Sequence, residues 1–212
     1  MKVIALNGSP RKSWNTAKLL DNALEGAKDK GADTELINLY DLEYKGCRSC
    51  FACKRQNLKS YGACCINDDL KPLFNKISQS DVLLLGSPIY FCNVTAAMRA
   101  FLERFLFQYL IYSNPPSNAY YGSLKVAFIY TMNVKETTFF QSSLKQGVDV
   151  INSIIERTFG NIKTLYSFFT YQTDNYKGME YSRFDIEEKK EYHESVFPLD
   201  CKKAYDLGSS LV

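Results

Sequence analysis

The 212-residue sequence predicts an α/β fold, a doubly wound five-stranded parallel sheet with helices on both faces. Two observations predict it. Short, nearly continuous apolar runs recur at wide intervals, and the stretches between them carry apolar residues at helical spacing. Strands that are apolar throughout need cover on both faces, and right-handed crossovers put helices there. Taken in order, KVIALN at 2–7 is the first strand, and TAKLLDNALEGAKDKG at 16–31 is a helix with Gly31 as its C-cap. TELINLY at 34–40 is the second strand, and NDDLKPLFNKISQS at 67–80 a helix whose start carries Asp68 and Asp69, where negative charge suits the dipole. DVLLLGSP at 81–88 is the third strand, followed by a long amphipathic helix at 95–112 that Thr95 can cap. KVAFIYTM at 125–132 and IKTLYSFF at 162–169 complete the sheet, and a last helix runs from Pro198 to Gly208. The segments 41–66, 112–122 and 170–185 read as polar, irregular loops.

The length suits one domain over 1–212, and 46% hydrophobic with 23% charged residues is ordinary for a globular protein. A formal charge of +3 is too small to suggest a nucleic-acid or polybasic membrane partner. The N-terminus has too few apolar residues for a signal peptide, and no run approaches the roughly 20 of a membrane span. The expected location is therefore the cytoplasm. Thiols stay reduced there, so the seven cysteines read as metal ligands, redox groups or buried thiols rather than disulfides.

After the first strand comes NGSPRKSWNT, Asn7 to Thr16, a loop of small and hydroxyl residues at the end of the strand where doubly wound folds bind ligands. Ser9, Ser13, Asn15 and Thr16 offer neutral donors, Arg11 a cation, and the helix start free N–H groups, which together suit a phosphate. The loop matches neither G-x-x-x-x-G-K-[ST] nor G-x-G-x-x-G, which favours a mononucleotide over a nucleoside triphosphate or dinucleotide. The same residues also serve an ordinary turn and N-cap. A second element decides between these readings. In GSPIYFCNVTAAMRAFLERF, Gly86 to Phe105, an apolar and aromatic loop follows the third strand and suits a planar ring.

In GSPRKSWNT, GSPIYFCNVTAAMRAFLER and the cysteine loop between them, the chain resembles the flavodoxin-like NAD(P)H-dependent flavin reductases, a group that includes quinone reductases and iron–sulfur flavoproteins. The resemblance covers roughly residues 1–135. It implies a flavodoxin-like fold, FMN as cofactor and NAD(P)H as transient co-substrate. By position it assigns the FMN phosphate to Ser9, Arg11, Ser13, Asn15 and Thr16, and the isoalloxazine to Pro88, Ile89, Tyr90, Phe91 and Asn93. Thr131, Met132 and Asn133, at the end of the fourth strand, close the site.

Five cysteines crowd into CRSCFACKRQNLKSYGACC, Cys47 to Cys65. Cys47, Cys50 and Cys53 are spaced as in ferredoxin-type [4Fe–4S] loops, with Cys64 or Cys65 available as the fourth ligand. The ten residues before Cys64 exceed the gap in the iron–sulfur flavoproteins, and no proline follows the run. The spacing therefore favours free thiols over a cluster, and a cluster over zinc. Cys92 and Cys201 read as small buried hydrophobes, and His193, in EEKKEYHESV, as solvated.

The expected function is an FMN-dependent oxidoreductase that takes a hydride from NAD(P)H and passes electrons to a quinone, flavin, nitro compound or protein acceptor. The flavin carries the chemistry, so no dedicated catalytic residue is assigned. The alternatives are a non-enzymatic electron carrier or redox sensor, and a cofactor-free interaction protein on the same fold. Apolar and aromatic residues occupy more than one helical face in 101–121, which predicts a homodimer or tetramer.

Overall fold

The computed structural model describes residues 1–115 and 117–212; Pro116, within the loop expected at 112–122, lies outside the described residues. The strands are β1 (Lys2–Asn7), β2 (Asp33–Asn38), β3 (Val82–Tyr90), β4 (Lys125–Thr131) and β5 (Ile162–Ser167). The main helices are α1 (Asn15–Lys28), α2 (Leu70–Ser78), α3 (Ala96–Phe107), α4 (Ser143–Phe159), α5 (Ile186–Ser195) and α6 (Phe197–Ser209). The strands pair in parallel in the order β2-β1-β3-β4-β5, the doubly wound order of flavodoxin-like folds. A two-residue strand, Asn93–Val94, turns back antiparallel on the end of β3.

Because side chains alternate across a strand, each apolar run feeds two cores. Val3, Ala5, Val82, Leu84, Ala127 and Ile129 meet Leu19, Leu20 and Ala23 of α1 and Ala204 of α6. Ile4, Leu6, Leu83, Leu85, Phe128 and Tyr130 face the other way, toward Leu73 of α2, Phe101 and Phe105 of α3, and Ile151 and Ile155 of α4. Gly86 lets α1 approach β3, since a Cβ there would lie 2.7 Å from Leu20 Cδ1. Among the described residues no helix is long and apolar enough to cross a membrane.

Several elements differ from the expectation. Helix α3 stops at Phe107 rather than continuing to Tyr112, because Lys54 Nζ donates to the carbonyls of Phe107, Gln108 and Leu110 and so caps its negative end. Leu110–Ile111 then pairs with Ser117–Asn118 as a short hairpin. Helix α4 fills a stretch for which the sequence suggested no element, and α5 forms within the segment read as charged and solvated. The aromatic surplus of 101–121 is partly used within the chain: Phe101 and Phe105 stack in the core, while Tyr109 and Tyr120 close over Phe159.

Candidate functional site

The loops after β1, β3, β4 and β5 meet at the carboxyl edge of the sheet, and each is fixed from its first residue. At the end of β1, Gly8 N–H donates to the Gly86 carbonyl at 2.8 Å and ties the two Gly-Ser-Pro loops together. Asn7 Oδ1 accepts from Ser9 N–H at 2.9 Å, and Ser9 Oγ accepts from Arg11 N–H at 3.1 Å, so the 7–11 turn is held by its own side chains. Thr95 Oγ–H donates to the Gly8 carbonyl at 2.6 Å and accepts from Met98 N–H at 3.3 Å, which caps α3.

Helix α1 differs from α3 in this respect. Its N-cap, Trp14, makes no side-chain capping bond, and no acidic residue lies in its first turn. The leading N–H groups and positive dipole end of a 14-residue helix therefore face the loop without a protein anion. Ser9, Arg11, Trp14, Asn15 and Thr16 line a cavity of about 240 Å³ together with Pro88, Ile89, Tyr90, Thr131, Asn133, Thr170, Tyr171 and Gln172. Thr16 and Thr131 share a hydrogen bond of 2.8 Å across its floor.

Nine of the residues assigned to FMN by resemblance thus share one cavity, and four do not line it. Ser13 is exposed and lies outside the lining. Phe91 is fully exposed at the tip of the β3 loop, where its φ of 48° turns it outward, and Asn93 spends its Oδ1 on Val94 N–H. Met132 is buried in the core.

Thr170, Tyr171 and Gln172 were not anticipated, whereas Trp14, expected from its place in the phosphate loop either to shield it or to meet a second subunit, lines the cavity. Trp14 Nε1–H and Asn15 Nδ2–H donate to the Tyr171 carbonyl at 3.0 and 2.7 Å, and Arg11 donates to the Gln172 carbonyl. Arg11 also stacks on Trp14, 4.9 Å from the ring centroid. The only available sequence signal was topological, since the loop after β5 opens at the same sheet edge. Below Tyr171, His193 is sandwiched, 4.4 Å from that ring and 5.0 Å from Phe197. The solvated reading of His193 is therefore corrected: burial, helped by Lys18, pushes its pKa down.

The donor set fits FMN. A phosphomonoester needs the uncapped α1 terminus, Arg11 and the hydroxyls of Ser9 and Thr16, and a planar ring needs the Pro88–Ile89–Tyr90 wall. Both ends belong to one cavity.

The second feature is the cysteine loop. The 54–63 segment folds back, so that Cys47, Cys50, Cys53, Cys64 and Cys65 all line one small cavity of about 20 Å³. Cys50 Sγ and Cys65 Sγ stand 4.0 Å apart. Burial pushes the Cys53 thiol up, whereas the Ala52 N–H and Arg48 hold Cys50 down. Arg104 forms one wall, fully buried and paired with Asp68, with its Nε left without a partner. Cys64 lies beside its guanidinium and packs on the core, while Cys65 is exposed. Among the described residues no three His, Cys, Asp or Glu side chains are close enough for a single metal ion, which is not the arrangement of zinc. A cubane differs, because each thiolate binds a different iron. Five thiols with a buried, unpaired donor suit such an anionic group chemically. The space is sufficient only if the loop moves outward, since about 20 Å³ holds roughly one water.

A doubly wound sheet with a cavity at its switch point, lined by phosphate-type donors at one end and an apolar wall at the other, defines a flavodoxin-like protein. The chain belongs to the NADPH-dependent FMN reductase family, whose family model matches residues 1–155. Over 104 residues it is 38% identical to an iron-sulfur flavoprotein of Methanocaldococcus jannaschii, covering 49% of this chain and 51% of that one. An iron-sulfur flavoprotein of Methanosarcina thermophila is 33% identical over 104 residues, covering 49% and 52% of the two chains. Both matches span about half the length of these relatives. An iron-sulfur flavoprotein of Clostridioides difficile is 29% identical over 182 residues, covering 81% and 79%. Among solved structures, an NAD(P)H:quinone oxidoreductase from Methanothermobacter marburgensis superposes with a TM-score of 0.73 at 13% identity, covering 100% and 99%. An azoreductase from Bacillus anthracis gives 0.70 at 13% identity, covering 99% of each chain. At that identity the likeness shows the fold alone.

Proposed function

We propose that the protein is an FMN-dependent oxidoreductase that takes a hydride from NADH or NADPH and passes electrons to a quinone, flavin, nitro compound or protein. The observation that carries this reading is the single cavity joining an uncapped helix terminus with Arg11 to the Pro88–Ile89–Tyr90 wall. Bound there, FMN would accept a hydride and release electrons one or two at a time. The chain's own residues bind and orient. Arg11, Ser9, Thr16 and the α1 N–H groups hold the phosphate, Pro88 and Ile89 exclude water from part of the ring, and the half-exposed Tyr90 leaves the rest open to a second ring. His193 stacks outside the cavity lining, so no proton transfer is assigned to it. The setting is read as cytoplasmic and the partner as a small molecule or a redox protein. Mixing the FMN-loaded protein anaerobically with NADH or NADPH tests the reading. Bleaching of the visible flavin absorption by either nucleotide supports it, and bound FMN that neither bleaches contradicts it.

A second reading concerns the cysteine loop. The unpartnered Arg104 Nε in a wall of thiols supports a [4Fe–4S] cluster on Cys47, Cys50, Cys53 and Cys64, and the curated relatives above carry the iron-sulfur name. Cys64 is preferred to Cys65 because it adjoins Arg104 and the core. Anaerobically purified protein should then hold about four iron and four sulfide per chain, lost in Cys50→Ser. Absence of both returns the loop to free thiols, as the spacing suggested.

A further inference from the structure

Among the described residues two cations are fully buried, Arg104 and Lys189. Arg104 is paired with Asp68, but Lys189, on α5, meets no carboxylate. Its ammonium donates to Asn133 Oδ1 and, at 3.2 Å, to the Phe169 carbonyl. The rings of Phe169 and Phe184 lie over it, with centroids at 4.1 and 4.8 Å. Phe169 itself takes a φ of 48°, a conformation that costs a non-glycine residue free energy and presents its carbonyl to the amine. Burying a cation without an opposite charge is expensive, so a site that retains one calls for a use beyond packing.

The geometry points to Asn133, which among the described residues is the one that both bonds this amine and lines the cofactor cavity. An ammonium can only donate, so it takes the carboxamide oxygen. The Nδ2 hydrogens are then the donors Asn133 has left for the cavity it lines with Thr131, Thr170 and Tyr171. Hydrogen-bond donors next to a flavin favour its reduced form, which carries more negative charge near neutral pH. We infer that Lys189 is a positioning residue: it fixes the Asn133 carboxamide with its N–H groups toward the cavity and thereby strengthens binding of reduced FMN over oxidised FMN. The inference rests on the FMN reading of that cavity. Lys135 lies on the same Phe169 ring at 5.4 Å but is exposed and paired with Glu188, so its charge is largely spent in solvent.

The test is the ratio of dissociation constants for oxidised and dithionite-reduced FMN, measured anaerobically at pH 7 in wild type, Lys189→Met, Asn133→Ala and the double variant. Each single variant should lower the preference for reduced FMN about tenfold, equivalent to about 30 mV for a two-electron couple. The double variant should lose no more than either single one, because both act through one carboxamide. Lys189→Gln, which keeps a donor, should restore at least half of the loss on a logarithmic scale, and it serves in place of Lys189→Met should that variant not fold. Equal weakening of both FMN forms, an unchanged ratio, or additive losses in the double variant would overturn the inference and leave Lys189 an anchor for α5. Failure of wild type to bind FMN in either form would instead refute the cofactor reading itself.

Discussion

Arg11 sits at the rim of the cavity, exposed, stacked on Trp14 and engaged with a backbone carbonyl rather than a carboxylate. A phosphate offers that guanidinium a charge-assisted bond worth about 1.5–3 kcal/mol, whereas Tyr90 offers only ring contact. Arg11→Ala should therefore raise the FMN dissociation constant about tenfold to a hundredfold, more than Tyr90→Ala, and fluorescence titration of both variants checks the order. At Lys189, burial pushes the amine down to about 8. Between that value and the ordinary lysine range the unfolded chain binds the extra proton, so folding stability rises with pH across this window. Measured against Lys189→Met, the wild type should gain stability from pH 7.5 to pH 10 in urea melts; a constant difference would mean that the amine is not perturbed. The β1 end of the cavity was legible because Ser9, Arg11, Asn15 and Thr16 crowd one short loop after an apolar run. Lys189 was not legible, because EEKKEY reads as solvated and the rings of Phe169 and Phe184, from other segments, lie over its amine.

At the scale of elements, the strands were the clearest part of the sequence. Lys2–Asn7 lies where KVIALN placed it, and the other four strands differ only at their ends. Runs apolar on both faces leave little ambiguity once helices flank them. Helix α4 was harder, since Val148, Ile151 and Ile155 form a narrow stripe interrupted early by Gly147. The structure explains that glycine: a Cβ there would lie 2.0 Å from the Cys92 carbonyl oxygen, in the turn carrying Phe91 and Cys92 at positive φ. Gly147→Ala should push that backbone aside, destabilise the fold by about 1–3 kcal/mol and weaken FMN binding through the adjoining Pro88–Tyr90 wall. Denaturation midpoints and FMN titration check both effects, and an unchanged affinity would mean that the turn and the wall move independently. Helix α5 did carry a signal, because Asp185 caps it through Glu188 N–H at 3.0 Å and acidic residues fill its first turn. Its lack of an apolar stripe hid it.

For the whole molecule, the fold followed from the pattern of runs, while the site required the loop after β5, whose Tyr171 and Gln172 carbonyls reach the β1 loop from 155 or more residues away. No local pattern encodes such an approach. The same scale governs assembly. Phe51, Tyr112 and Tyr121 remain exposed after the α3 aromatics have packed, and we propose a homodimer that covers part of this surface. Light scattering at micromolar concentration should give about twice the 24.2 kDa chain mass, and a monomer would contradict it. The central claim is that this sheet edge binds a flavin mononucleotide by its phosphate. The most direct measurement is parallel equilibrium titration of the purified protein with FMN and with riboflavin, which differ only in that group. FMN should bind at least about tenfold more tightly, in line with the loss of one charge-assisted contact. Equal affinity for riboflavin, or no uptake of FMN, would contradict the account.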